Sequence, residues 1–175
     1  MTSRKFTTLF TEREISEGVE RLAARIAAAP LKPDIAAPIL AGSFVFAADL
    51  LRALARRGLS LPVEFLWLRS YAEKRIGADT VSVLLGPTER IHARTVLLID
   101  GVLDRGRTLK KARDLLMERG AASVLSAVAV DKKRGDVAMR ADYAMFEAVE
   151  GFIVGYGMDD AGEDRGLPYI ARISE

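Results

Sequence analysis

The residues best able to do chemistry lie in one run, Leu97-Leu98-Ile99-Asp100-Gly101-Val102-Leu103-Asp104-Arg105-Gly106-Arg107-Thr108-Leu109. An apolar stretch of buried-strand character reaches Asp100, passes Asp104 four residues later and turns at Gly106 into a segment of helical character. In open α/β sheets, ligands sit beyond the carboxyl ends of strands. The amides of Arg105 to Thr108 would face outward at a helix start, where unpaired N–H groups and the helix dipole both favour a phosphate. Gly106 lets the backbone approach closely, and the Thr108 hydroxyl is a further donor. Asp104 and Thr108 taken alone also fit a plain turn and helix cap. Asp100, which ends an apolar strand without structural need, speaks for a site.

Several chemistries are excluded by composition. The 175 residues contain no cysteine, which removes disulfides, thiolate metal sites and a Cys nucleophile, and suits a reducing, cytoplasmic setting. The single histidine, His92, stands isolated before a strand and reads as a surface residue. Lys and Arg exceed Asp and Glu by 26 to 24, a net charge of +2, too slight for a nucleic-acid binder. The most apolar stretch, Ala36 to Ala55, is broken by Pro38, Gly42, Asp49 and Arg52, so no membrane span is expected. Lys132-Lys133-Arg134 reads as a solvated turn. The spacing of Asp159, Asp160, Glu163 and Asp164 is not that of an EF-hand, so these residues read as a solvated acidic loop.

The elements that must position these residues alternate. Thr11 and Glu14 have capping-box spacing, and Ile15, Val19, Leu22, Ala23 and Ile26 share one face of a helix ending near Pro30. Pro38 to Leu40 is a short strand closed by Ala41-Gly42-Ser43. A helix runs from Phe44 to Arg57, capped by Gly58. Val63 to Leu68 and Thr80 to Leu85 are strands around a polar stretch, long for a simple hairpin, that reads as a flexible loop at about 69–80. Then follow a strand at Thr95 to Asp100, a helix at Thr108 to Arg119 and a strand at Ser123 to Val130, with a short strand at Phe152 to Tyr156. Such βαβ alternation predicts a single α/β domain over 1–175, with a doubly wound, mainly parallel sheet flanked by helices.

The central run resembles the phosphoribosyl pyrophosphate (PRPP) signature of type I phosphoribosyltransferases: two acidic residues, two apolar ones, then Asp-Thr-Gly-Arg/Lys-Thr. Gly101 stands where the second acid is usual, and Arg105 where Thr is usual. Leu40-Ala41-Gly42-Ser43 is similar to the Leu-Lys-Gly-Ser/Gly loop of the hypoxanthine-guanine branch, with Ala41 at the Lys position. Ser70-Tyr71 resembles the Ser-Tyr pair of its flexible loop. Three runs match its carboxyl-terminal pattern: Arg140-Ala141-Asp142-Tyr143, Phe152-Ile153-Val154-Gly155-Tyr156-Gly157-Met158-Asp159 and Arg165-Gly166-Leu167-Pro168-Tyr169-Ile170. Arg140 replaces the usual Lys.

The resemblance implies the type I fold with a small hood built from the chain ends. It also implies transfer of the ribose 5-phosphate of PRPP to hypoxanthine or guanine, giving IMP or GMP and pyrophosphate, with Mg²⁺. Carried over, Asp104 is the proton acceptor, Asp104, Arg105, Gly106, Arg107 and Thr108 cradle the 5′-phosphate, and Asp100 serves the ribose and metal side. Ala41, Gly42, Ser43 and Arg165 face pyrophosphate, Ser70 and Tyr71 belong to the closing loop, and Arg140, Phe152, Ile153 and Asp159 hold the purine, Asp159 also standing near the metal. A homodimer or homotetramer is the family's habit. Because Ala41, Gly101 and Arg140 all depart from matched positions, a catalytically weak, nucleotide-binding regulator and a transferase of shifted base preference are the alternatives.

Overall fold

The computed structural model describes residues 5–72 and 79–174. Its strands are β1 (Lys5–Phe10), β2 (Ile35–Leu40), β3 (Leu66–Ala72), β4 (Asp79–Leu85), β5 (Thr95–Leu103), β6 (Ser123–Asp131), β7 (Tyr143–Glu147), β8 (Ile153–Val154) and β9 (Ile170–Ser174). The helices are α1 (Glu12–Ala28), α2 (Phe44–Arg56) and α3 (Arg107–Glu118). Six strands form the main sheet in the order β4-β3-β2-β5-β6-β7. All neighbours in it are parallel except β3 and β4. A second sheet, β1-β9-β8, is antiparallel and built mainly from the two ends of the chain.

Local chemistry starts α1 as the sequence predicts. Thr11 Oγ1 accepts from the Glu14 amide at 3.3 Å, and Glu14 Oε2 accepts from the Thr11 amide at 2.8 Å. The apolar face Ile15, Val19, Leu22, Ala23 and Ile26 is buried throughout. It packs with α2 against one face of the sheet, meeting Leu97 and Ile99 of β5 and Ala127 and Ala129 of β6. The alternate residues Val96, Leu98 and Val128 face the other way, onto Leu109, Ala112 and Leu116 of α3. Period-two strands between helices on both faces make the sheet doubly wound. β5 is buried on both faces because it lies at the centre.

The order of strands reverses between β2 and β5, so the loops leaving their carboxyl ends, 41–43 and 104–106, open onto one crevice.

Two expectations are corrected. The polar stretch expected to leave the sheet at residue 69 instead continues as β3 through Ala72, and β4 begins at Asp79. The backbones of Ser70 and Tyr71 pair with Val81 and Thr80; an antiparallel partner satisfies the backbone of polar residues as well as of apolar ones, so polarity did not end the strand. Of the expected loop, residues 73–78 lie outside the described residues. The strand expected from Phe152 to Tyr156 shrinks to Ile153–Val154, because Gly155, Tyr156 and Gly157 take φ of 88°, 52° and 97°. β1, β7 and β9 were not anticipated. Among the described residues, no helix is long and apolar enough to cross a membrane.

Candidate active site

Two recesses meet at the switch point. The larger, of about 670 Å³, is lined by Ala41 and Gly42 from the end of β2, Asp100 and Thr108 around β5 and α3, and Phe152, Ile153, Asp159 and Arg165 from the carboxyl-terminal segment. The smaller, of about 230 Å³, is walled by Asp100 and by residues 102–109. The two share Asp100, Val102 and Thr108.

The turn into α3 has the form of an anion cradle. Gly106 occupies the N-cap position with φ of 71°, and no side chain caps the helix. The plain capping role open to Asp104 and Thr108 is therefore not the one they take. A Cβ at Gly106 would collide with the backbone of Met139, so a side chain is excluded both by conformation and by space. Arg105, Arg107 and Thr108 line the smaller recess at the helix start, where N–H groups and the dipole favour an anion.

Asp100 and Asp104 differ in environment. Burial pushes the Asp100 carboxyl up to about 7, against the opposing hydrogen bond from the Gly101 amide at 2.7 Å. Burial would raise Asp104 as well, but hydrogen bonds from Arg134 and Lys132 outweigh it and hold that carboxyl below its ordinary value. Lys132 Nζ donates to Asp104 Oδ2 at 3.0 Å, and Arg134 Nε donates to Oδ1. Four residues apart on one strand end, the two carboxylates are tuned in opposite directions.

The carboxyl-terminal segment closes the cavity. Arg165 Nη1 donates to the Gly157 carbonyl at 2.8 Å, and its Nη2 lies 2.8 Å from Asp159 Oδ1. Asp159 Oδ2 accepts from the Gly162 amide at 2.7 Å, so the acidic stretch is an organised turn on the cavity wall rather than a merely solvated loop. Phe152 is 54% exposed and lines the cavity, leaving a bare aromatic surface where packing alone would have buried it. Tyr156 is buried and donates its hydroxyl to Asp49 Oδ2 at 2.7 Å.

Some expected residues stand elsewhere. Ser43 is fully buried, its hydroxyl donates to the Ile39 carbonyl at 2.6 Å, and it lines neither recess. Arg140 is exposed, its Nη2 donates to the Gly135 carbonyl at 3.3 Å, and it lines neither recess. The backbones of Ser70 and Tyr71 lie in β3. The reading of Lys132-Lys133-Arg134 as a solvated turn is corrected for Lys132, whose side chain is 9% exposed and lines the larger cavity, and for Arg134, which is paired with Asp104. The signal was available: Lys132 directly follows the apolar run of β6, at the same carboxyl edge that drew attention to Asp100. Trp67 of β3 also lines the cavity and was not anticipated.

Fold and cavity together define an α/β protein of the doubly wound class with its site at the switch point of the sheet. Residues 6–161 match the phosphoribosyl transferase domain family, and the chain belongs to that family. It is 34% identical over 170 residues to the hypoxanthine-guanine phosphoribosyltransferase of Dictyostelium discoideum, covering 95% of this chain and 94% of that protein. Among solved structures, it resembles a Trypanosoma cruzi hypoxanthine phosphoribosyltransferase studied for the effect of its carboxyl-terminal region on oligomeric state and activity, with a TM-score of 0.87 at 30% identity over 99% of this chain and 94% of that one. It also resembles the enzyme of that organism in complex with the product IMP, with a TM-score of 0.85 at 31% identity, covering 99% and 96% of the two chains.

Proposed function

We propose that this protein is a purine salvage phosphoribosyltransferase that moves the ribose 5-phosphate of PRPP onto hypoxanthine or guanine, releasing pyrophosphate. The observation that carries the reading is spatial. The anion cradle at 104–108 and the Asp100 carboxylate, neighbours in sequence, and the exposed Phe152 ring, far from both in sequence, border two recesses that share a wall.

In this reading the 5′-phosphate sits in the smaller recess on the amides and side chains of Arg105 to Thr108. Asp100 addresses the ribose hydroxyls. Pyrophosphate lies against the backbone of Ala41 and Gly42 and the Arg165 guanidinium, and the purine stacks on Phe152 beside Ile153 and Asp159. A ring nitrogen attacks C1, the bond from C1 to the pyrophosphate oxygen breaks, and Asp104 accepts the proton released from the base. Most of the acceleration comes from positioning and from charges placed where the oxocarbenium-like transition state needs them. Ser70 and Tyr71, on the strand ribbon beside the cavity, belong to the part that closes over the reactants.

Mg²⁺ is part of the proposal. Among the described residues no group of three or more His, Cys, Asp or Glu side chains could hold a metal ion, so these residues do not cage one by themselves. A single half-buried carboxylate at Asp100, with Asp159 lining the same cavity, suits an ion held mainly by diphosphate oxygens and water. Such an ion would screen the charge of the leaving group. Homo-oligomerisation is part of the same reading; the exposed Phe65, Val83, Leu84 and Leu85 on and beside the β3–β4 ribbon are apolar side chains that a second copy could cover.

The test is a Mg²⁺-dependent assay with PRPP and each of hypoxanthine, guanine, xanthine and adenine, with PRPP and IMP binding followed by calorimetry. Stoichiometric IMP or GMP and pyrophosphate are expected. Binding without turnover on any base would replace the enzyme with a regulator, and adenine as the best substrate would overturn the assignment of the purine site.

A further inference from the structure

We propose that the indole of Trp67 is a leaving-group contact, its N–H donating to an oxygen of the diphosphate at the end of the cavity bordered by Ala41 and Gly42. The inference rests on the reading of that end as the pyrophosphate site and adds a residue to it. Trp67 is the one tryptophan of the chain. It stands on β3 opposite Leu40, the last residue of β2, in the parallel pairing of the two strands, so the chain passes into Ala41 and Gly42 beside it. Its neighbours Leu66 and Leu68 are buried and pack in the same core as α3. Strand alternation sends Trp67 to the other face, where it is 42% exposed and lines the larger cavity. A tryptophan serving only to fill the core would be buried as those two leucines are.

The donors around the cavity narrow the role. Four of its lining residues carry a side-chain N–H or O–H: Trp67, Thr108, Lys132 and Arg165. Thr108 belongs to the anion cradle and also walls the smaller recess. Lys132 donates to Asp104 and to the Gly151 carbonyl, and Arg165 is held by the Gly157 carbonyl and Asp159. The Trp67 N–H has no protein acceptor among the described residues. Ala41 and Gly42 bring no side-chain donor of their own. An indole donates and does not accept, and its ring is positive at the edge that carries the N–H, so that edge suits an anion.

Place in the sheet separates this ring from the base. Strand order runs β3-β2-β5-β6, with Trp67 on the first and the backbone before Phe152 held against the residue that follows the last. Three strand spacings make roughly 14 Å. A purine stacked on Phe152 therefore leaves Trp67 to the other end of the ligand, which in PRPP is the diphosphate.

Calorimetry on the full-length protein with Mg²⁺ measures binding of pyrophosphate and, separately, of IMP to wild type, Trp67→Phe and the double variant Trp67→Phe with Ala41→Lys. Emission of the single tryptophan is followed in the wild type. Pyrophosphate should change the Trp67 emission along the calorimetric binding curve. Trp67→Phe keeps an aromatic ring and loses the N–H, so it should weaken pyrophosphate about tenfold, as expected for a lost hydrogen bond to a charged acceptor. IMP, bound at the far end, should stay within about twofold. Lysine at 41 returns a donor to the same place and should recover most of the loss, with a steeper dependence on salt.

Equal pyrophosphate affinity in Trp67→Phe would overturn the proposal, as would an unmoved emission with pyrophosphate bound. An equal loss of pyrophosphate and IMP marks a residue that only supports the fold and overturns it too. A wild type that binds IMP but not pyrophosphate removes the leaving-group end from this cavity and Trp67 with it. One that binds neither removes the transferase reading itself.

Discussion

Gly101 lies so close to Gly42 that a Cβ built on it would stand 2.7 Å from the Gly42 carbonyl oxygen. Gly157 presses on the same oxygen from another side, with its own Cβ position 2.8 Å away. The missing second acid of the PRPP signature is therefore a packing feature. A side chain at 101 would displace the loop proposed to hold pyrophosphate. Gly101→Asp should not gain a ribose contact. It should cost about 1 to 3 kcal/mol of stability through overpacking and weaken PRPP binding, checked by denaturant unfolding and calorimetry. Unchanged stability with tighter PRPP binding would show that the loop can yield.

Asp104→Asn keeps the size of the side chain but removes the proton acceptor. Turnover should fall by about 100-fold to 10,000-fold, with PRPP affinity nearly unchanged, because the cradle is built from the backbone and neighbouring side chains. Single-turnover kinetics with calorimetry separates the two effects. Equal turnover would remove Asp104 from the chemistry.

Asp100 makes stability depend on pH. Its carboxyl binds a proton more readily in the folded protein, up to about 7, than in the unfolded chain at the ordinary carboxylate value. The folded state thus holds more protons between those limits, and stability falls as pH rises from about 4 through about 7. Asp100→Asn, neutral at every pH, should lack this component. Its Tm relative to wild type should rise by several degrees between pH 5 and pH 8, measured by calorimetry without PRPP or Mg²⁺. A constant difference would show that Asp100 is better solvated than its position implies.

Phe152 offers a test of the purine side. As it is 54% exposed, Phe152→Ala should leave Tm within about 1 to 2 °C of wild type. Loss of the stacking surface should weaken IMP binding by about 1 to 3 kcal/mol while sparing ribose 5-phosphate. Equal weakening of both ligands would place Phe152 outside the base site.

Much of this protein was decided within short stretches of its chain. The capping box at Thr11 and Glu14, the period of α1, the apolar run of β5 and the turn at Gly106 are all local, and each depends on residues a few positions apart. Their order was enough for a doubly wound sheet, and the matched motifs were enough for the family. The tertiary structure decided what depends on contacts between distant segments. Lys132 reads as part of a charged turn until Asp104 and Gly151, 28 and 19 residues away, are folded against it. Arg140 matches a motif position yet turns its guanidinium to Gly135, outside both recesses. Ser70 and Tyr71 read as loop residues because their polarity is local, whereas the partner that makes them strand is β4. Spacing along the chain encodes period and turn; which charge meets which carboxylate is set only when burial and desolvation act on the assembled site.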